Sequence, residues 1–260
     1  MDAALLQTPP AQRGELVKAG ESQELRVESH EPARVSAAEG YKLWAASYDE
    51  GPNPLLALEE RALRPLLPDL RQKDALDIGC GTGRWLTNLL SLGARAVVGV
   101  DASLEMLRRA AAKPLLGNRL VLTHAHALPL HAESADVIVC SFAVGHFLDT
   151  RALASELARV ARRGADLFVT DMHPAAQAQG WRCAFRCADR TVEIATFVHA
   201  LPDLRRSFEN EGFSLVNSGD FHFGEPERRI FWAAGKQAIF ETARALPAVL
   251  VLHFRLRVVS

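Results

Sequence analysis

Leu76-Asp77-Ile78-Gly79-Cys80-Gly81-Thr82-Gly83 is the stretch of this 260-residue chain that decides its fold. A short apolar run breaks into three glycines at alternate positions and passes straight into an amphipathic stretch beginning at Arg84, the pattern of a buried strand turning sharply into a helix. Glycines here let the backbone come within contact distance of a ligand and leave helix N-terminal N–H groups free for a carboxylate or phosphate. A nucleotide-type ligand is implied. The dinucleotide fingerprint G-x-G-x-x-G/A does not fit, because the sixth position is Arg84 counted from Gly79 and Leu86 counted from Gly81. Either side chain obstructs the close helix–strand packing that a third glycine permits. What remains is the spacing D-x-G-x-G-x-G.

Working outward, short apolar runs alternate with amphipathic stretches from residue 75 onward. The pattern predicts strands at 75–78, 96–100, 120–123, 135–140 and 166–170, with helices at 84–92, 104–112 and 152–162. Two further strands are expected at 214–220 and 249–258, separated by a helix over 232–246. The expected architecture is α/β, a doubly wound and mostly parallel seven-stranded sheet with helices on both faces. Residues 1–33 mix Pro9, Pro10, Gly14, Gly20 and Pro32 with polar residues and read as a flexible N-terminal arm. One domain is expected over 34–260. Tyr41, Leu43, Trp44 and Tyr48 fall at helical spacing, and after the break Gly51-Pro52-Asn53-Pro54 a second amphipathic stretch runs over 55–67. Residues 173–200 carry no clean period and read as a small cap insertion, followed by a helix at 202–211.

The second strand ends in Val98-Gly99-Val100-Asp101-Ala102-Ser103, where a carboxylate can accept hydrogen bonds from both hydroxyls of a ribose. With this pair of features the chain resembles the class I S-adenosylmethionine-dependent methyltransferases, whose first motif has the form D-x-G-x-G-x-G. The resemblance implies a Rossmann-like fold and S-adenosyl-L-methionine as cofactor, released as S-adenosyl-L-homocysteine. It places Asp77, Gly79, Cys80, Gly81, Asp101 and Ala102 around that cofactor, with Met106 of Leu104-Glu105-Met106-Leu107 as the apolar contact of the adenine pocket. In Leu122-Thr123-His124-Ala125-His126-Ala127-Leu128-Pro129, relatives usually carry an acid before the alanine to accept a bond from the adenine amino group. Here that position is His124, whose neutral ring can accept one bond, while Ala125 can offer its backbone N–H. The fourth strand, ending in Cys140-Ser141-Phe142 and followed by Val144-Gly145-His146-Phe147, resembles the family's fourth motif and adds Ser141 and Phe142. In resembling families an aromatic residue from the N-terminal helices closes over the cofactor, which points to Tyr48. The likeness covers residues 41–171, and beyond them only the strand order.

The implied activity is transfer of a methyl group to an O, N, S or C nucleophile of a small molecule, an in-line displacement that demands alignment and exclusion of water. For an acceptor protonated at neutral pH a general base would help, and His146, His173 and His199 are the candidates. The cap and the N-terminal helices are expected to enclose the acceptor, with Trp181, Phe185 and Phe197 as apolar walls. A formal net charge of −1 offers no general attraction to nucleic acid or anionic lipid. No Asn-Pro-Pro-aromatic or Asp-Pro-Pro-aromatic run follows the fourth strand, so no nucleic-acid partner is expected. Three other readings remain open at this stage: a non-catalytic module that holds a nucleoside cofactor, a nucleic-acid methyltransferase, and a nicotinamide-dependent oxidoreductase. Cys183-x-x-x-Cys187 with His173 and His199 nearby does not have the spacing of a recognised zinc site, so reduced thiols and no metal are expected. No run approaches the ~18 apolar residues of a membrane span, and no Lys or Arg precedes the short apolar run near Met1, so the expected setting is cytoplasmic.

Overall fold

The computed structural model describes residues 32–258. Their elements run β1 (Ala33–Val35), α1 (Ala37–Trp44), α2 (Pro54–Leu63), β2 (Asp74–Ile78), α3 (Arg84–Ser91), β3 (Ala96–Asp101), α4 (Leu104–Ala111), β4 (Leu120–Leu122), β5 (Ala135–Ser141) and α5 (Thr150–Val160). There follow β6 (Ala161–Met172), α6 (Pro174–Ala178), β7 (Ala184–Cys187), β8 (Arg190–Ile194), α7 (Leu201–Asn210), β9 (Phe213–Phe221), α8 (Glu225–Ala233), α9 (Gln237–Arg244) and β10 (Val249–Leu256).

Seven strands form the main sheet in the order β4-β3-β2-β5-β6-β10-β9. The first five are mutually parallel, and β10 runs antiparallel to both β6 and β9. The four residues from Ala75 to Ile78 are buried as an uninterrupted run because helices cover both faces of the sheet. One face packs against α2, α3, α8 and α9 through Leu58, Trp85, Phe231 and Phe240. The other packs against α5 and α7 through Leu153, Leu157, Leu204 and Phe208. Since β2 is flanked by β3 on one side and β5 on the other, the strand order reverses at its carboxyl end, the place where such sheets open a crevice. The doubly wound, mostly parallel Rossmann-like sheet expected from the pattern is therefore the one found.

Boundaries moved where local chemistry overrode periodicity. The fifth parallel strand is longer than expected, because Ala161 already pairs with Ala135 of β5 while the preceding helix stops at Val160. The expected helix over 232–246 is two helices, broken at Gly235 with φ +67°. Pro54 opens α2 one residue before the expected start, since Asn53 accepts hydrogen bonds from the Leu55 and Leu56 N–H groups and proline suits the first helical position.

The cap segment holds structure that its sequence pattern did not reveal. Strands β7 and β8 form an antiparallel hairpin, and β1 pairs in parallel with β8 through Ala33 with Val192 and Val35 with Ile194. This second sheet buries Trp44, Phe185, Val192 and Ile194 in a small core of its own. Ala33, the last residue of the expected arm, is the first residue of β1 and so lies in a strand and not in an arm. Residues 1–31 of the expected arm lie outside the described residues. Among the described residues, no helix is long and apolar enough to cross a membrane.

Candidate active site

At the carboxyl end of β2 the chain turns through Gly79, Gly81 and Gly83, with φ of +65°, +53° and +81°. That left-handed backbone is open to glycine at little cost. A Cβ at Gly83 would stand 2.6 Å from Leu116 Cδ1, so this glycine seats α3 on its neighbours. A Cβ at Gly81 would meet only Met106 Cε at 3.6 Å, so the space beyond it is free. Gly81 donates its N–H to Asp101 Oδ2 at 2.8 Å, and Ser103 N–H donates to Oδ1 at 2.8 Å. Burial pushes the Asp101 carboxyl up, and the bonds from Ser103 and Gly81 oppose that shift. The acid ending β3 thus holds the glycine turn that follows the neighbouring β2.

A groove of about 340 Å³ follows this turn, lined by Asp77, Gly79, Cys80, Gly81, Thr82, Arg84 and Ser141, with Tyr48, Leu56 and Phe142 along one side. Asp77 is buried, and burial raises its carboxyl well above the usual range while Arg84 opposes the rise. Arg84 is positioned by a fully buried acid on α2: Glu59 accepts hydrogen bonds from Arg84 Nη2 at 2.8 Å, Trp85 Nε1 at 3.0 Å, Ser141 Oγ at 2.8 Å and Thr170 Oγ1 at 2.9 Å. These donors come from α3, β5 and β6, so Glu59 ties α2 to one helix and two strand ends. The groove presents a carboxyl and a guanidinium together, the complement of an amino acid's ammonium and carboxylate.

Beyond Tyr48, Leu56 and Phe142 lies a second chamber of about 700 Å³, partly open to solvent. Tyr41, Trp44, Tyr48 and Phe142 give it aromatic walls, and His146, Asp171, Gln177 and Arg182 supply polar groups. Phe142 occupies a left-handed conformation, φ +49°, a strain that non-glycine residues keep when the surroundings dictate it, and its N–H donates to Thr170 O. The Tyr41 hydroxyl lies 2.8 Å from His146 Nε2. Burial lowers His146 to about 4, which leaves the ring neutral near pH 7. Asp171, at the end of β6, accepts from Met172 N–H at 2.7 Å and Gly145 N–H at 2.9 Å, yet burial still pushes its carboxyl up to about 6.

The residues expected from sequence separate into groups. Asp77, Gly79, Cys80, Gly81, Ser141 and Phe142 line the groove, and Tyr48 borders both spaces. Asp101 braces the turn, Ala102 is exposed beside it, Met106 is buried below Gly81, and Ala125 is buried. His124 is exposed and stacks on His126 with ring centroids 5.5 Å apart. His146 lines the chamber, but His173 and His199 line neither space. His173 turns away because its Nδ1 caps α6, accepting from Ala175 N–H at 3.0 Å, while Nε2 lies 3.2 Å from Asp220 on β9. His199 tilts against Phe197 instead, its Nε2 buried. The expected apolar walls are corrected likewise. Trp181 stacks on Phe223, Phe185 stacks on Trp44 at 4.7 Å, and Phe197 is exposed. The four cysteines are free thiols, and among the described residues no three His, Cys, Asp or Glu side chains gather as a metal site.

Tyr41, Arg84 and Asp171 of the two spaces, and Glu59 buried behind Arg84, escaped the sequence reading. Asp171 carried a usable signal, since ligands in such sheets gather at the carboxyl ends of strands. Glu59 carried none, because one acid in an amphipathic helix reads as a solvated face.

Residues 76–169 match the family model described as a methyltransferase domain. Over 100 residues the chain is 36% identical to the ubiquinone/menaquinone biosynthesis C-methyltransferase of Syntrophotalea carbinolica, covering 37% of this chain and 42% of that protein. The chain thus spans less than half the length of that curated relative. In structure it resembles an S-adenosylmethionine-dependent methyltransferase from Mesorhizobium loti, at 22% identity with a TM-score of 0.60, covering 76% of this chain and 98% of the other. It also resembles geranyl diphosphate C-methyltransferase from Streptomyces coelicolor in complex with S-adenosyl-L-homocysteine, at 15% identity with a TM-score of 0.58, covering 77% and 80%. The structural likenesses establish the fold. The segment built around the glycine turn thus matches a methyltransferase domain, and the fold around it is the one these S-adenosylmethionine-dependent methyltransferases share.

Proposed function

We propose that this protein transfers a methyl group from S-adenosyl-L-methionine to a small-molecule acceptor. The observation that carries the reading is the pairing of a groove suited to an adenosyl amino acid with an aromatic chamber, the two meeting at Tyr48, Leu56 and Phe142. Asp101 is the ribose acceptor, the glycine turn admits the cofactor against bare backbone, and Asp77 with Arg84 receives its amino-acid end. A nicotinamide dinucleotide lacks the ammonium and carboxylate that this last pair would satisfy. When bound, the cofactor supplies an electrophilic methyl on a sulfonium. The protein's share is to hold the acceptor in line across the shared wall and keep water out with Tyr41, Trp44, Tyr48 and Phe142. The names of two relatives, a quinone-biosynthesis enzyme and a prenyl diphosphate enzyme, agree with a small acceptor.

Calorimetry with S-adenosyl-L-methionine, S-adenosyl-L-homocysteine and NAD tests the first half of this reading. The two adenosyl amino acids should bind and NAD should not; the reverse outcome rejects the proposal. Release of S-adenosyl-L-homocysteine with a mixed panel of small acceptors tests the second half, and binding without turnover on the whole panel would favour a non-catalytic cofactor-binding module. Gly81→Val should abolish cofactor binding, because its side chain would enter the free space at the turn and φ +53° strains a β-branched residue. A variant that binds like the wild type would move the ligand away from this turn.

A further inference from the structure

The aromatic chamber has one acidic residue on its wall, Asp171, and one lysine or arginine, Arg182. The other titratable groups around the carboxyl come from several elements. Tyr41 stands on α1, Tyr48 follows it, Cys140 lies on β5, His146 in the turn after β5, and Cys183 before β7. Burial holds the two phenols and the two thiols in their protonated forms, with Cys183 raised to about 12, and holds His146 in its neutral form. Of the two unprotonated groups near neutral pH, His146 is held by burial as the weaker base and its Nε2 already meets the Tyr41 hydroxyl, so Asp171 is the chamber's proton acceptor. Each carboxylate oxygen already takes one backbone N–H, from Met172 and Gly145, which fixes its direction and leaves a further lone pair on each.

We propose that Asp171 receives the acceptor's proton, and that the acceptor is a small flat molecule bearing a hydroxyl on an unsaturated ring, a phenol or enol. This rests on the methyltransferase reading above. Flat rings suit walls made by Tyr41, Trp44, Tyr48 and Phe142, which offer faces and edges for stacking. A carboxylate acceptor would be repelled by Asp171 and would need no base. An ammonium acceptor would face the fixed positive charge of Arg182 in the same chamber, whereas an oxyanion developing during transfer is favoured by it. In the step, an O–C bond forms at the acceptor oxygen as the methyl–sulfur bond breaks and its electron pair stays on sulfur. The hydroxyl proton passes to Asp171, so one positive sulfonium and one negative carboxylate give three neutral products. The acid then returns its proton to solvent.

The test uses 2-naphthol and its methyl ether as probes, titrated by calorimetry into the full chain saturated with S-adenosyl-L-homocysteine. The wild type should prefer the naphthol by about tenfold, the worth of one charge-assisted hydrogen bond. That preference should shrink as the pH falls through about 6, where Asp171 takes up a proton. Asp171→Leu should erase the preference while leaving the affinity for S-adenosyl-L-homocysteine intact, and Asp171→Glu should keep part of it. If Asp171→Leu no longer binds S-adenosyl-L-homocysteine, the isosteric Asp171→Asn carries the comparison. Equal binding of naphthol and ether by the wild type, an undiminished preference in Asp171→Leu (or in Asp171→Asn where it takes that variant's place), or tighter binding of phenethylamine than of naphthol would each overturn the assignment. Failure of the wild type to bind S-adenosyl-L-homocysteine is a different result and strikes the cofactor reading instead.

Discussion

Glu59→Ala is expected to lower the free energy of unfolding by about 3–5 kcal/mol, the cost of removing one partner from a buried charged network. Glu59 is fully buried and collects donors from Arg84, Trp85, Ser141 and Thr170. Its loss leaves the Arg84 guanidinium without its main counter-charge and the Trp85 Nε1–H without an acceptor. Urea denaturation measures the change. The neighbouring Glu60→Ala is the control: Glu60 lies 3.7 Å from Arg64 and 3.9 Å from Arg84 with its side chain 35% exposed, so its removal should change stability by no more than about 0.5 kcal/mol. Equal effects of the two substitutions would show that the network around Glu59 contributes little.

Asp101→Ala is expected to weaken binding of S-adenosyl-L-homocysteine by about 1–3 kcal/mol, or about 5- to 150-fold in Kd. Two losses combine. The ribose loses its acceptor, and the glycine turn loses the bond from Gly81 N–H that holds it against β3. Asp101→Asn separates them, because its amide oxygen can still accept from Gly81 while the paired carboxylate geometry for two hydroxyls is gone. Calorimetry on both variants gives the division. Unchanged affinity in Asp101→Ala would remove this residue from the cofactor site.

The parallel core was legible because its strands are buried on both faces and so read as short unbroken apolar runs, as in residues 137–140. The glycine turn was legible because only glycine suits its backbone, so residue type and geometry coincide. What escaped notice depended on side chains that meet far apart in sequence. Trp181, Phe185 and Phe197 looked like pocket walls from composition, but which face of a short strand is buried depends on its partner, and Trp44 claimed Phe185. His173 looked well placed after a strand, yet a competing local role, capping α6, took its ring nitrogen. The hairpin of β7 and β8 was hidden because its strands are short and interrupted by Arg186 and Glu193.

The parallel pairing of β1 with β8 has a consequence for how the chain is assembled as it is synthesised. Ala33 must wait for Val192, while the five parallel strands of the main sheet all lie before residue 173. Contacts between such distant residues form late, and domains are made from the N-terminal end onward. Tyr41 and Trp44 thus wait on the nascent chain for the hairpin that packs against them, and the aromatic chamber is completed after the groove.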